Sequence, residues 1–117
     1  MISFAFPKRF SNFAVNELFM KSRKEYIEIL TSCVDDLKQL YGVTSMLLFG
    51  SVARGQQTEN SDVDVCVEMP PRLLKLVAAG QYLEEKLGCH VDIIRRHNNM
   101  NPVLVKEIEN DGVCIFK

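Results

Sequence analysis

Val63, Val65 and Val67 alternate with Asp62, Asp64, Cys66 and Glu68, and this one stretch limits the folds open to the chain. Side chains along a strand point to opposite faces in turn, so the valines need a core on one side while Asp62 and Asp64 share the other. A sheet covered by other elements is required. With 117 residues there is room for one domain and one core, and a composition of 47% hydrophobic and 25% charged residues suffices to build it.

The neighbouring periodicities supply the cover. Ser22 and Glu25 form an S-x-x-E capping box, and apolar residues at Tyr26, Ile27, Leu30, Val34, Leu37 and Tyr41 predict one helix that ends at Gly42. Met46 to Phe49 reads as a short buried strand, and Gly50 to Ser61 as a polar loop with one helical turn in it. Pro70 and Pro71 are expected to open a second helix with an apolar stripe at Leu73, Leu76, Val77, Leu83 and Leu87, ended by Gly88. Val91 to Ile94 reads as a third strand, Asn101-Pro102 to Gly112 as a last helix, and Val113 to Phe116 as a final short strand. The expected fold is α/β, a small mixed β-sheet with helices packed on it. The link from Phe49 to Val63 is too short for a helical crossover, whereas Glu68 to Val91 is long enough for a βαβ unit.

Two segments divide the chain: a Phe-rich arm over residues 1–21, with Phe4, Phe6, Phe10, Phe13 and Phe19, and the domain proper over residues 22–117. The arm is expected to pack across the domain or against a partner. A net charge of -1 removes the broad attraction that drives non-specific nucleic-acid binding, so no nucleic-acid partner is implied. Cys33, Cys66, Cys89 and Cys114 are too widely spaced for a zinc knuckle or a redox pair and read as reduced core residues. No apolar run is long enough to span a membrane and none has the form of a signal peptide, which makes the cytoplasm the expected compartment.

The chemistry is concentrated in Gly50-Ser51-Val52-Ala53-Arg54-Gly55, followed by Ser61-Asp62-Val63-Asp64. A glycine after a buried strand lets the backbone approach a ligand, and Ser51 adds a hydroxyl and an N–H suited to phosphate oxygens. Arg54, between two glycines, offers a fixed positive charge to the same phosphates. Asp62 and Asp64 project side by side and repel each other unless a cation joins them. Asp92 lies opposite its core-facing neighbours Val91 and Ile93, so a third strand placed beside the second would bring three carboxylates together. Such a set suits two Mg²⁺ ions, because its donors are hard oxygens. His90 shares the face of Asp92 and reads as a surface histidine or a support behind that carboxylate. Arg95 and Arg96 read as exposed charges, and Glu68 as a solvated strand end.

Leu48-Phe49-Gly50-Ser51-Val52-Ala53-Arg54-Gly55, Ser61-Asp62-Val63-Asp64 and Val91-Asp92-Ile93 together resemble the nucleotidyltransferases of the DNA polymerase beta superfamily. Within it, they resemble the minimal nucleotidyltransferase group found with HEPN-domain partners in toxin-antitoxin pairs. The resemblance covers residues 24–116 and departs from the usual pattern only conservatively, with Val63 and Val65 for Ile and Leu. It implies that Gly50 and Ser51 contact nucleotide phosphates and that Asp62, Asp64 and Asp92 bind the metal ions. It also implies ATP as substrate and transfer of AMP to a tyrosine of a HEPN-type toxin, which silences it.

Two other functions fit the residues. A non-catalytic antitoxin would neutralise its partner by occupying it, with the Phe-rich arm as contact. A transferase acting on a small molecule would need a homo-oligomer to complete its acceptor pocket.

Overall fold

The computed structural model describes residues 21–58 and 60–117, so the Phe-rich arm expected at residues 1–21 lies, but for Lys21, outside the described residues. Among the described residues, five helices and four strands follow in the order α1 (Arg23–Ser32), α2 (Val34–Tyr41), β1 (Ser45–Phe49), α3 (Gly50–Ala53), β2 (Val63–Glu68), α4 (Leu73–Leu87), β3 (Val91–Arg95), α5 (Pro102–Asp111) and β4 (Val113–Phe116). The sheet order is β3-β2-β1-β4. β1 runs antiparallel to both β2 and β4, while β2 and β3 are parallel and joined across α4, so the sheet is mixed and the βαβ unit is present.

The valine alternation sets the layers. Val63, Val65 and Val67 are fully buried with Leu48 and Met46 against Leu30, Leu37, Leu83 and Leu87, so α1, α2 and α4 cover one face. On the other face Phe49 and Cys66 form a smaller cluster with Ile108 of α5, joined by Leu47, Ile94, Met100 and Leu104. Asp64 and Asp92 fall on this second, thinner face by the same alternation, beside a helix that covers it incompletely.

The capping box at the start of α1 forms as the sequence requires: Glu25 N–H donates to Ser22 Oγ at 3.2 Å and Ser22 N–H donates to Glu25 Oε1 at 2.8 Å. Ser22→Ala is expected to cost about 1 kcal/mol, read as a fall in Tm of roughly 4–8 °C for a domain of this size.

The single helix expected from Ser22 to Tyr41 is divided at Cys33. Just before the break, the Thr31 and Ser32 hydroxyls donate to the carbonyls of Ile27 and Ile29, at 2.7 and 2.6 Å, a back-bonding that bends helices. Gly42 ends the second piece at φ +74° as expected. Pro70 and Pro71 do not open α4. Arg72 N–H bonds to Pro70 O at 2.8 Å in a separate turn, and the helix starts at Leu73. The apolar stripe read along that helix is also corrected: Leu83 and Leu87 are buried and Leu76 is partly buried, but Leu73 and Val77 are exposed, as is Leu74. Of the four cysteines, Cys33 and Cys66 are buried, Cys89 is half-buried and Cys114 is exposed, so Cys114 is no core residue. Among the described residues no helix is long and apolar enough to cross a membrane.

Candidate active site

The site is assembled where β1, β2 and β3 present one end of the thinner face. Phe49 of β1 pairs with Asp64 of β2, and Asp64 is in register with Asp92 of β3. Parallel register thus sets two carboxylates side by side. Asp62, just before β2, has a carboxylate oxygen within 4.8 Å of an Asp92 oxygen and of a His90 ring nitrogen. The three carboxylates singled out in the sequence are brought together.

Gly50 closes the site from below. It leaves β1 at φ +78°, a left-handed conformation that glycine adopts without penalty, and turns the chain into the short helix α3. A Cβ at this position would run into the Asp64 carboxylate, so the backbone of Gly50 lies against that group. Ser51 follows in the first turn of α3, where N–H groups have no partner within the helix. The loop beyond is pinned by Gln56 N–H to Ser51 O at 2.9 Å, by Arg23 Nε–H to Ala53 O at 2.8 Å, and by a turn in which Thr58 N–H donates to Ser61 Oγ at 2.8 Å.

Arg54 is paired with α5. Its Nη1 lies 2.8 Å from Asp111 Oδ2 and 3.9 Å from Glu107 Oε2, both of α5, and its Nε donates to Gln56. The guanidinium therefore ties α3 to α5. Asp111 and Glu107 carry no motif signal in the sequence; only packing brings them, with α5, to Arg54.

Partial burial, the neighbouring Asp92, then Asp62 and Glu107 push the Asp64 carboxyl up from 3.8 to about 6. Crowding of like charges at a half-buried carboxylate is relieved when a cation binds, and the carboxylate oxygens of Asp62, Asp64 and Asp92 are hard donors of the kind Mg²⁺ takes. The sign of the pH effect follows. Between pH 3.8 and about 6 the folded chain holds a proton on Asp64 that the unfolded chain has released. Stability without divalent ions is therefore expected to fall as pH rises through this window. Water at the half-exposed group screens the effect to on the order of 1 kcal/mol, or roughly 4–8 °C in Tm. Thermal melts from pH 4 to 7 check this, and Asp64→Asn is expected to flatten the profile.

His90 is more engaged than its sequence position suggests. Its Nε2 stands 3.1 Å from Asp92 Oδ1, and its Nδ1 stands 2.9 Å from Glu84 Oε2. The bond to Asp92 raises the imidazole above its usual range. Glu84 was not legible as a site neighbour, since it sits on a helix with no pattern pointing to Asp92.

A mixed sheet with one helical crossover, bearing paired carboxylates on adjacent parallel strands beside a Gly-Ser turn, defines a nucleotidyl-transfer domain. The chain belongs to the nucleotidyltransferase family: residues 30–115 match the profile of the nucleotidyltransferase domain. It is 41% identical over 98 residues to a Methanocaldococcus jannaschii protein named as a candidate protein adenylyltransferase, covering 82% of this chain and all of that one. It is 38% identical over 79 residues to the protein adenylyltransferase MntA of Thermococcus cleftensis, covering 66% of this chain and 80% of the relative. The fold is shared with the solved complex of the tri-AMPylated Shewanella oneidensis HEPN toxin and its MNT antitoxin. The TM-score is 0.56 and the identity 17%, over 77% of this chain and 71% of that one.

Proposed function

We propose that this nucleotidyltransferase moves AMP from ATP, with Mg²⁺, onto a hydroxyl of a partner protein, a tyrosine of a HEPN-type toxin, and so acts as an antitoxin. The observation that carries the reading is the strand register of Asp64 with Asp92, with Asp62 at their end and Gly50 pressed against Asp64. The acceptor class is supported by relatives named as protein adenylyltransferases and by the AMPylated HEPN toxin in the complex whose antitoxin shares the fold.

In this reading Asp62, Asp64 and Asp92 would hold two Mg²⁺ ions, which supply charge neutralisation at the phosphates and lower the pKa of the attacking hydroxyl. Gly50, with no Cβ, lets the Asp64 carboxylate lie against the backbone next to Ser51. Ser51 offers its hydroxyl and N–H to phosphate oxygens. Arg54, with Nη1 on Asp111 and Nε on Gln56, would offer its remaining N–H groups to the phosphates.

The test is direct. Purified protein, ATP, Mg²⁺ and the HEPN-type partner are incubated, and each chain is weighed by mass spectrometry. An added AMP on a partner tyrosine is the expected result. Unmodified partner despite Mg²⁺-dependent ATP binding would overturn it.

A second reading has its own support. Leu73, Leu74 and Val77 at the start of α4 leave an apolar patch in water, with Leu74 83% exposed. An antitoxin that neutralises by occupation alone would use such a face. Neutralisation in cells that survives the double change Asp62→Ala, Asp64→Ala would favour occupation over modification.

A further inference from the structure

Glu84 and His90 together reach the carboxylate of Asp92, a contact that strand pairing alone does not create. Glu84 lies in the last turn of α4, and its backbone carbonyl accepts from Gly88 N–H at 2.8 Å, closing the helix as Gly88 turns left-handed. Its side chain catches the chain again after the turn: Oε2 accepts from Val91 N–H at 3.1 Å and stands 2.9 Å from His90 Nδ1. One residue therefore holds both the end of α4 and the start of β3. The backbone of His90 is held from the other side, since Val63 N–H donates to His90 O at 3.0 Å. With its main chain held by Val63 and its Nδ1 beside Glu84, the imidazole turns Nε2 toward Asp92. That direction ends 3.1 Å from Asp92 Oδ1.

Asp92 needs such a contact. Its side chain is 52% exposed, and His90 Nε2 stands 3.1 Å from its Oδ1. A half-exposed aspartate in a strand samples several rotamers, and each wrong one must be given up when the group binds a ligand. With Glu84 2.9 Å from Nδ1 and Asp92 3.1 Å from Nε2, the ring joins the two carboxylates, and Glu84 orients Asp92 through it.

We infer that Glu84 and His90 are positioning residues, a clamp that holds the Asp92 carboxylate in the orientation the nucleotidyl-transfer site uses. This rests on the assignment of Asp92 to that site. Hydrogen-bond partners behind a metal-binding carboxylate carry about 10–100-fold in metal affinity.

The experiment is Mn²⁺ binding measured by electron paramagnetic resonance in the presence of AMP-PNP, with Tm measured for every variant. His90→Ala is expected to weaken Mn²⁺ about 10-fold at unchanged Tm. His90→Gln, whose amide N–H can still donate to Asp92, is expected to stay within about 3-fold of the native protein. Glu84→Ala is expected to weaken binding like His90→Ala, and the double variant to lose no more than either single one, because both act through one contact. Native affinity in His90→Ala, equal losses in His90→Ala and His90→Gln, or losses that add in the double variant would each overturn the clamp. Asp92→Asn separates the two levels. If it weakens Mn²⁺ strongly while His90→Ala does not, the clamp alone falls. If Asp92→Asn binds Mn²⁺ normally, the assignment of Asp92 falls and the clamp with it.

Discussion

Asp64→Ala protein is expected to lose divalent-dependent AMP transfer by roughly 10³-fold or more while melting at a temperature equal to or above that of the native chain. The two halves of this result have one cause. Asp64 sits in register with Asp92 and near Asp62, and the crowding that pushes its carboxyl up to about 6 is an energetic cost in the metal-free fold. Removing the carboxylate relieves that cost. It also removes a ligand whose cation would supply several kcal/mol of charge stabilisation to the reaction, and each 1.36 kcal/mol is about tenfold in rate. Asp92→Ala is expected to behave alike, since its side chain is half-exposed and makes no core contact. The measurement pairs AMP incorporation by mass spectrometry with a thermal melt in the presence of a chelator. Undiminished transfer by Asp64→Ala protein would sink the mechanism, and a large fall in Tm would mean that Asp64 has a structural role the geometry does not suggest.

Gly50→Ala is expected to damage both fold and site. The position is held at φ +78°, where a Cβ costs about 1–2 kcal/mol, and that Cβ is directed into the Asp64 carboxylate. The backbone penalty alone corresponds to a fall of roughly 4–16 °C in Tm, and displacement of Asp64 is expected to abolish detectable transfer. A double variant separates the two contributions. Asp64→Ala in the Gly50→Ala background removes the collision but not the strained φ, so part of the lost stability should return, more than Asp64→Ala gives to the native chain. A Gly50→Ala protein with native Tm and native transfer would show that neither the turn nor the approach to Asp64 matters.

Much of the fold was legible because it is local. The Ser22-Glu25 box, the left-handed Gly42 and Gly88, Asn101 ahead of Pro102, and the valine alternation of β2 all act over a few residues, and each is found where the sequence puts it. The misreadings share a different origin. Cys33 divides a helix because two hydroxyls two and one residues earlier turn back on carbonyls, an effect that apolar spacing does not register. Leu73 and Val77 have helical spacing yet remain exposed, while Leu76, Leu83 and Leu87 of the same helix pack on the core.

For the site, the residue types and their faces were readable: two aspartates on one side of a strand, a third on the polar side of another, and a glycine where backbone must approach a ligand. Those follow from the two-residue period of a strand and from the absence of a Cβ, which are properties of the chain itself. Which strand lies beside which, and in what register, is set by distant packing. The crossover through α4 lays β3 parallel to β2 and thereby pairs Asp64 with Asp92. The same packing sends Arg54 to Asp111 on α5 and brings Glu84 to His90. The sequence alone thus determined the donors and the faces they occupy, because these depend on neighbours along the chain. Tertiary structure decided their mutual distances and partners, because those depend on contacts between segments far apart in it.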